Sequence, residues 1–128
     1  MDIQTHPQID RSLCGEPVAL GPGTATVRLA CTAAMAADAR GLVHGGFVFG
    51  AADYAAMLAV NDPLVVLGAA EARFVAPCTV GETVVLVAER EDLRGNRHKL
   101  RVTGMVGERE VFSGLFTAVL PEGHVLDR

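Results

Sequence analysis

The chain has 128 residues, the size of one domain and short for two. Half of it is hydrophobic and a fifth is charged, which excludes disorder as its main state. Eleven basic residues stand against fifteen acidic ones, Lys99 is the single lysine and no basic tract forms, so no nucleic-acid or anionic-lipid partner is expected.

The elements follow in chain order. Met1 to Pro7 carries no basic run followed by an apolar one, so no secretory leader is read and a cytoplasmic protein is expected. Val18–Leu20 is expected as a short strand and Gly21-Pro22-Gly23 as the turn after it. In Thr24–Cys31, Ala25, Val27, Leu29 and Cys31 form one face, opposite Thr24, Thr26 and Arg28, which is strand alternation. A helix starts near His44 and runs to about Asn61. Asn61-Asp62-Pro63 stops it, because the residue before a proline avoids helical dihedrals and the ring cannot continue a helix. This helix is apolar nearly all round, so sheet should enclose it. Gly41 to Val60 holds His44, Asp53 and three glycines between Gly45 and Gly50, and reads as a buried helix rather than a membrane span. Ala69–Ala76, Glu82–Arg90, Arg97–Val106 and Val111–Leu120 read as strands, with turns at Leu93-Arg94-Gly95-Asn96 and Gly107-Glu108-Arg109. The expected class is α+β, a single domain over residues 1–128 in which four consecutive strands after the helix form an antiparallel meander.

Asp53 is the most informative residue. It sits mid-helix among apolar neighbours, with no cation at Phe49, Gly50, Ala56 or Met57 to pair with it. Burying an unpaired carboxylate costs several kcal/mol or raises its pKa. Two readings stand side by side: a functional carboxylate, or one that hydrogen-bonds backbone in a polar niche. His44-Gly45-Gly46 opens the same helix. Free N–H groups and the positive end of the helix dipole suit a carbonyl oxygen that becomes an oxyanion, and glycine lets a ligand approach. The plain alternative is a tight loop with His44 as cap. Gly45 and Asp53 are eight residues apart, roughly 12 Å along the axis at about 1.5 Å per residue, so one carbonyl cannot touch both in the same chain. If they cooperate, Gly45 of one copy faces Asp53 of another in an isologous homodimer with two sites.

Other signals are plainer. Cys14, Cys31 and Cys78 read as reduced, mostly buried thiols, and His6, His44, His98 and His124 lack ligand spacing, so no metal site is expected. Arg97, Lys99 and Arg101 share one strand face, which reads as solvated surface before it reads as a stripe for an anion. Tyr54 and Asn61 read as packing and helix-end residues.

Gly41-Leu42-Val43-His44-Gly45-Gly46-Phe47-Val48-Phe49-Gly50-Ala51-Ala52-Asp53 resembles the helix motif of hotdog-fold acyl-CoA thioesterases, in the phenylacetate-degradation and 4-hydroxybenzoyl-CoA thioesterase branch. Ala72-Arg73-Phe74-Val75-Ala76-Pro77 with Val80-Gly81-Glu82 resembles the strand and turn that follow in that family. The resemblance covers roughly Thr24 to Leu120. It implies a hotdog fold, one long central helix wrapped by an antiparallel sheet of five to six strands, with dimers often paired into tetramers. It implies hydrolysis of a small or medium acyl- or aryl-CoA, with no cofactor besides the coenzyme A of the substrate. The amide of Gly45 would polarise the thioester carbonyl, and Asp53 would act as nucleophile or general base. His44 and Gly46 would shape the substrate turn. Asp38 stands where the family has Asn or Gln, and the resemblance implies a substrate-side role for it. A non-catalytic acyl-CoA-binding or sensing protein on the same fold is the alternative. The size of the acyl group is expected to depend on Phe47, Phe49, Met57, Leu58 and Phe74.

Overall fold

The computed structural model describes residues 1–127. A short helix α1 (Arg11–Cys14) leads into strands β1 (Glu16–Gly21) and β2 (Thr24–Ala30). A 3-10 turn at Ala33–Met35 precedes helix α2 (Gly45–Val60), which is followed by β3 (Val66–Phe74), β4 (Thr83–Arg94), β5 (Arg97–Val106) and β6 (Arg109–Val119). All six strands belong to one antiparallel sheet in the order β1-β2-β4-β5-β6-β3. The sheet curls around α2, as expected of an α+β hotdog fold. Among the described residues no helix is long and apolar enough to cross a membrane.

Inward residues alternate as read. Val27 and Leu29 of β2, Val84 and Leu86 of β4, Leu100 and Val102 of β5, and Phe112 and Phe116 of β6 are buried against α2. The helix meets them with alanines, namely Ala51, Ala52, Ala55, Ala56 and Ala59. Side chains this small let the sheet come close on several sides at once, and the bulk of the core is supplied from the strands. Full burial of each Val, Leu or Phe contributes about 1.5–3 kcal/mol. The helix ends where the sequence says it should. Asn61 takes a left-handed conformation (φ 54°, ψ 51°) and its amide donates to the Met57 carbonyl.

Three expectations change. The four-strand meander is a three-strand one, β4-β5-β6. β3 pairs instead with β6, from Val66↔Val119 to Phe74↔Phe112, while β2 takes the place beside β4. Alternation fixes the faces of a strand but not its neighbour, and α2, lying between β2 and β3 in the chain, delivers β3 to the far edge of the sheet. β3 also begins at Val66 rather than Ala69, because a register shift between Leu67 and Ala69 breaks the alternation around Gly68. A similar shift between Arg90 and Asp92 hides the continuation of β4 to Arg94, which leaves the two-residue turn Gly95-Asn96.

The segment before β1 is an addition that no periodicity announced. Asn61 fastens it at the end of α2: its Oδ1 accepts from the Gln4 amide at 2.7 Å and its Nδ2 donates to the Asp2 carbonyl at 2.8 Å. Thr5 is buried, its hydroxyl is 2.6 Å from His6 Nδ1, and the His6 ring lies 6.0 Å from that of Tyr54. This strap covers a side of α2 that the sheet leaves open.

Candidate active site

The approach to α2 is built by hydrogen bonds along the chain before it. Asp38 Oδ1 accepts from the amides of Arg40 (3.0 Å) and Leu42 (3.1 Å), closing a tight loop. Gly41 completes it at φ 79°, a conformation glycine adopts without strain. Val43 donates to the Cys78 carbonyl and His44 to that of Met35, both at 2.9 Å. The first residue of the helix is thereby fixed against two separate segments.

Gly45 and Gly46 each make room for a ring. A Cβ on Gly45 would lie 3.1 Å from Phe74 Cε1, and a Cβ on Gly46 would lie 3.0 Å from His44 Cδ2 and Nε2. His44 is the N-cap residue, yet its side chain makes no capping hydrogen bond; its ring sits edge-on to Phe47 at 6.1 Å. Among the described residues no acceptor takes the amide of Gly45 or Gly46. The positive end of α2 is therefore presented uncommitted. Beside it opens a cavity of about 340 Å³ lined by Val43, Val48, Phe74, Cys78 and Val111 among others, with no charged side chain in its lining.

Asp53 lies two turns along the helix. Its Oδ1 is buried and finds no hydrogen-bond partner among the described residues. Burial alone pushes its carboxyl up to about 6. This matches the expectation of a perturbed acid and departs from the plain reading, in which backbone groups would satisfy it. Gly46, Gly50 and Asp53 recur at helical spacing on the less covered side of α2, and a Cβ on Gly50 would have nothing within 4 Å. That leaves a small-residue stripe leading to the acid.

Placement of the remaining expected residues follows. Asp38 is exposed and occupied with its own loop, and it borders a second hollow with Arg40, Leu42, Pro77 and Thr79. Pro77 is common to this hollow and to the cavity at Gly45. Met57 and Leu58 are fully buried, and of the residues named for acyl size only Phe74 lines the cavity. Tyr54 is buried packing and Asn61 a helix end. Arg101 pairs with Glu91 at 3.3 Å and Lys99 donates to the Thr117 hydroxyl at 2.9 Å, as a solvated sheet face would have them. All three thiols are free, with Cys31 and Cys78 buried. Glu82 holds the turn beneath the cavity: its carboxylate accepts from the Thr79 amide and pairs with Arg109 at 2.9 Å, and Gly81 supplies the left-handed turn at φ 96°. The Val80-Gly81-Glu82 signature is therefore structural.

One long helix with a six-stranded antiparallel sheet curled around it is the hotdog fold. The family model described as the thioesterase superfamily matches residues 40–113, and the chain belongs to that superfamily. It is 44% identical to the uncharacterized protein PH1136 from Pyrococcus horikoshii, with a TM-score of 0.97 over 99% of this chain and 98% of that one. It is 26% identical to a variant of the phenylacetic acid degradation protein PaaI from Thermus thermophilus, with a TM-score of 0.77 over 85% and 95% of the two chains. It is also 46% identical, over 93% of its length, to a part of a methylthioribose-1-phosphate isomerase from Aquifex aeolicus, and 31% identical over 68% to the transcription factor FapR from Caldanaerobacter subterraneus. The chain spans only 26% and 44% of the lengths of those two proteins.

Proposed function

We propose that the protein is an acyl-CoA thioesterase whose site is completed by a second copy of the chain. What carries this reading is the pair of uncommitted groups on α2: free amides at Gly45 and Gly46, and a buried, unpartnered acid at Asp53. Each is costly or idle in an isolated chain and useful at a thioester. The thioester carbonyl takes the Gly45 amide, and water attacks the carbonyl carbon as Asp53 accepts its proton. The oxyanion collapses, the C–S bond breaks, and the departing thiolate of coenzyme A takes the proton back. Water is the one co-reactant. Direct attack by Asp53 through an acyl anhydride leads to the same products.

An isologous homodimer supports this by carrying Gly45 of one copy to Asp53 of the other. The Gly46-Gly50-Asp53 stripe offers close approach between two α2 helices, and β3 leaves one side of its ladder unpaired at the sheet edge. Pairs of such dimers extend the same reading to a tetramer. His44 and Gly46 shape the turn beside the carbonyl, and Asp38 holds the loop that leads to it.

The test is thiol release from a panel of short, medium and aryl acyl-CoAs. Activity on at least one, lowered about 100-fold or more by Asp53→Asn, is expected. Full activity in Asp53→Asn overturns the mechanism. The likeness to a transcription factor favours one second reading, an acyl-CoA sensor that binds without hydrolysis. In that case titrated acyl-CoA is recovered intact.

A further inference from the structure

Phe74 is a large apolar residue that is 57% exposed. It is the last residue of β3, opposite Phe112 on β6, with the two rings edge-on at 5.5 Å and 75°. On its other side the ring reaches over Gly45: Cε1, Cδ1 and Cζ lie 3.1, 3.3 and 3.7 Å from where a Cβ on Gly45 would stand. The ring is thus part of the cavity wall at the amide proposed to hold the carbonyl. Beyond Phe74 the regular ladder ends, since Val75 and Ala76 both donate to the single carbonyl of Val111, at 2.9 and 3.4 Å. Behind it the core is packed with further rings, Phe112 to Phe116 at 6.2 Å and Phe116 to Phe49 at 5.4 Å. Gly114 lets those rings pack closely, because a Cβ there would meet Phe116 at 2.9 Å and Phe112 at 3.3 Å.

We propose that Phe74 determines which acyl groups reach the Gly45 amide, its ring forming one wall of the cavity beside that amide. The proposal rests on the thioesterase reading. The lining has no charged side chain, so the occupant is the acyl group rather than the amide-bearing arm of coenzyme A, whose polar groups would be left unpaired. A cavity of about 340 Å³ is about ten times a water's share of roughly 30 Å³, which fits an acyl group of on the order of ten non-hydrogen atoms. The ring is largely exposed and meets the core edge-on at Phe112, so shortening it widens the cavity without emptying the core.

The experiment compares kcat/KM for tetradecanoyl-CoA and butyryl-CoA in the wild type, Phe74→Leu and Phe74→Ala. The tetradecanoyl-to-butyryl ratio should rise about tenfold or more in Phe74→Ala, within the range a few methylenes command in an apolar pocket, and by less in Phe74→Leu. An active wild type with ratios unchanged within about twofold in the variants overturns the proposal while leaving the thioesterase reading standing. Equal loss of both activities counts against it in the same way, since that is what a merely structural ring would give. If Phe74→Ala fails to fold, Phe74→Leu decides. A wild type inactive on every acyl-CoA overturns the thioesterase reading itself, and this inference with it.

Discussion

At the residue scale, the proposed mechanism makes Asp53 a link between stability and activity. Its carboxyl is raised from 3.8 to about 6 by burial, so the folded chain holds the proton more tightly than the unfolded one. Stability therefore falls as pH rises from about 4 through 6, and the loss is complete above that. Asp53→Asn should raise stability at pH 8 by at most about 3 kcal/mol, because a tenfold change in proton affinity is worth about 1.4 kcal/mol, and leave it unchanged at pH 3, as measured by denaturant midpoints. The same acid must be ionised to accept a proton, so kcat/KM should rise with pH through an acid limb near 6 and then level. A limb near 4 would mean that the site is wetter than the buried Oδ1 implies. His98 runs the other way. It is 7% exposed, its Nδ1 has no partner among the described residues, and burial, helped by Arg90 and opposed by Asp62, lowers its pKa from 6.5. The unfolded chain takes up that proton first, so stability is lost as pH falls below 6.5 toward the lowered value. His98→Leu should flatten that loss in thermal melts between pH 7 and 5. Asp53 was legible because one charge in an apolar helix has no local compensation. His98 was legible only as inward-facing, since its orphaned nitrogen depends on what β4, β6 and the end of α2 place around it.

At the element scale, α2 and β3 make opposite demands on the reader of a sequence. The unbroken run of apolar and small residues and the Asn61-Asp62-Pro63 stop are local, and they mark α2 almost to the residue. The position of β3 beside β6 depends on pairing across the whole sheet, and the bulge at Gly68 disguises its start. The N-terminal strap was invisible for a related reason: its order comes from Asn61 and Tyr54, more than forty residues away. The open space around Gly50 makes a prediction at this scale. Gly50→Leu should be tolerated within one chain, because a Cβ there meets nothing within 4 Å, yet it should keep two α2 helices apart. Circular dichroism should stay native while sedimentation at micromolar concentration shifts to the single-chain species and thiol release disappears. A variant that remains paired and active would remove the stripe from the proposed interface.

At the scale of the whole molecule, the proposed mechanism makes each site a joint product of two chains, because Gly45 and Asp53 stand eight residues apart on α2. Gly45→Val, crowded by Phe74, and Asp53→Asn should each be inactive alone. Co-refolded in equal amounts, half of the pairs would carry one chain of each kind, with one of the two sites rebuilt from the unaltered residues, so about a quarter of wild-type activity should return. No recovery would place both groups of a site within one chain. Family and fold could be read from the sequence because their signature is local to the Gly41–Asp53 segment. The chamber at Gly45 could not, because Phe74 reaches it from a strand that the sequence seats elsewhere in the sheet. The two borders of that sheet are also unlike. Both carry a bulge, but β1 is also guarded by Pro17, whereas β3 has neither proline nor lysine and offers Gly68, Ala69 and Ala70 in the open. A copy deprived of its mate thus exposes an adhesive rim, and crowded solutions of Gly50→Leu should turn cloudy with clumped protein. Adding Ala69→Lys should clear them, because a charged rim repels stray strands without restoring the lost partnership.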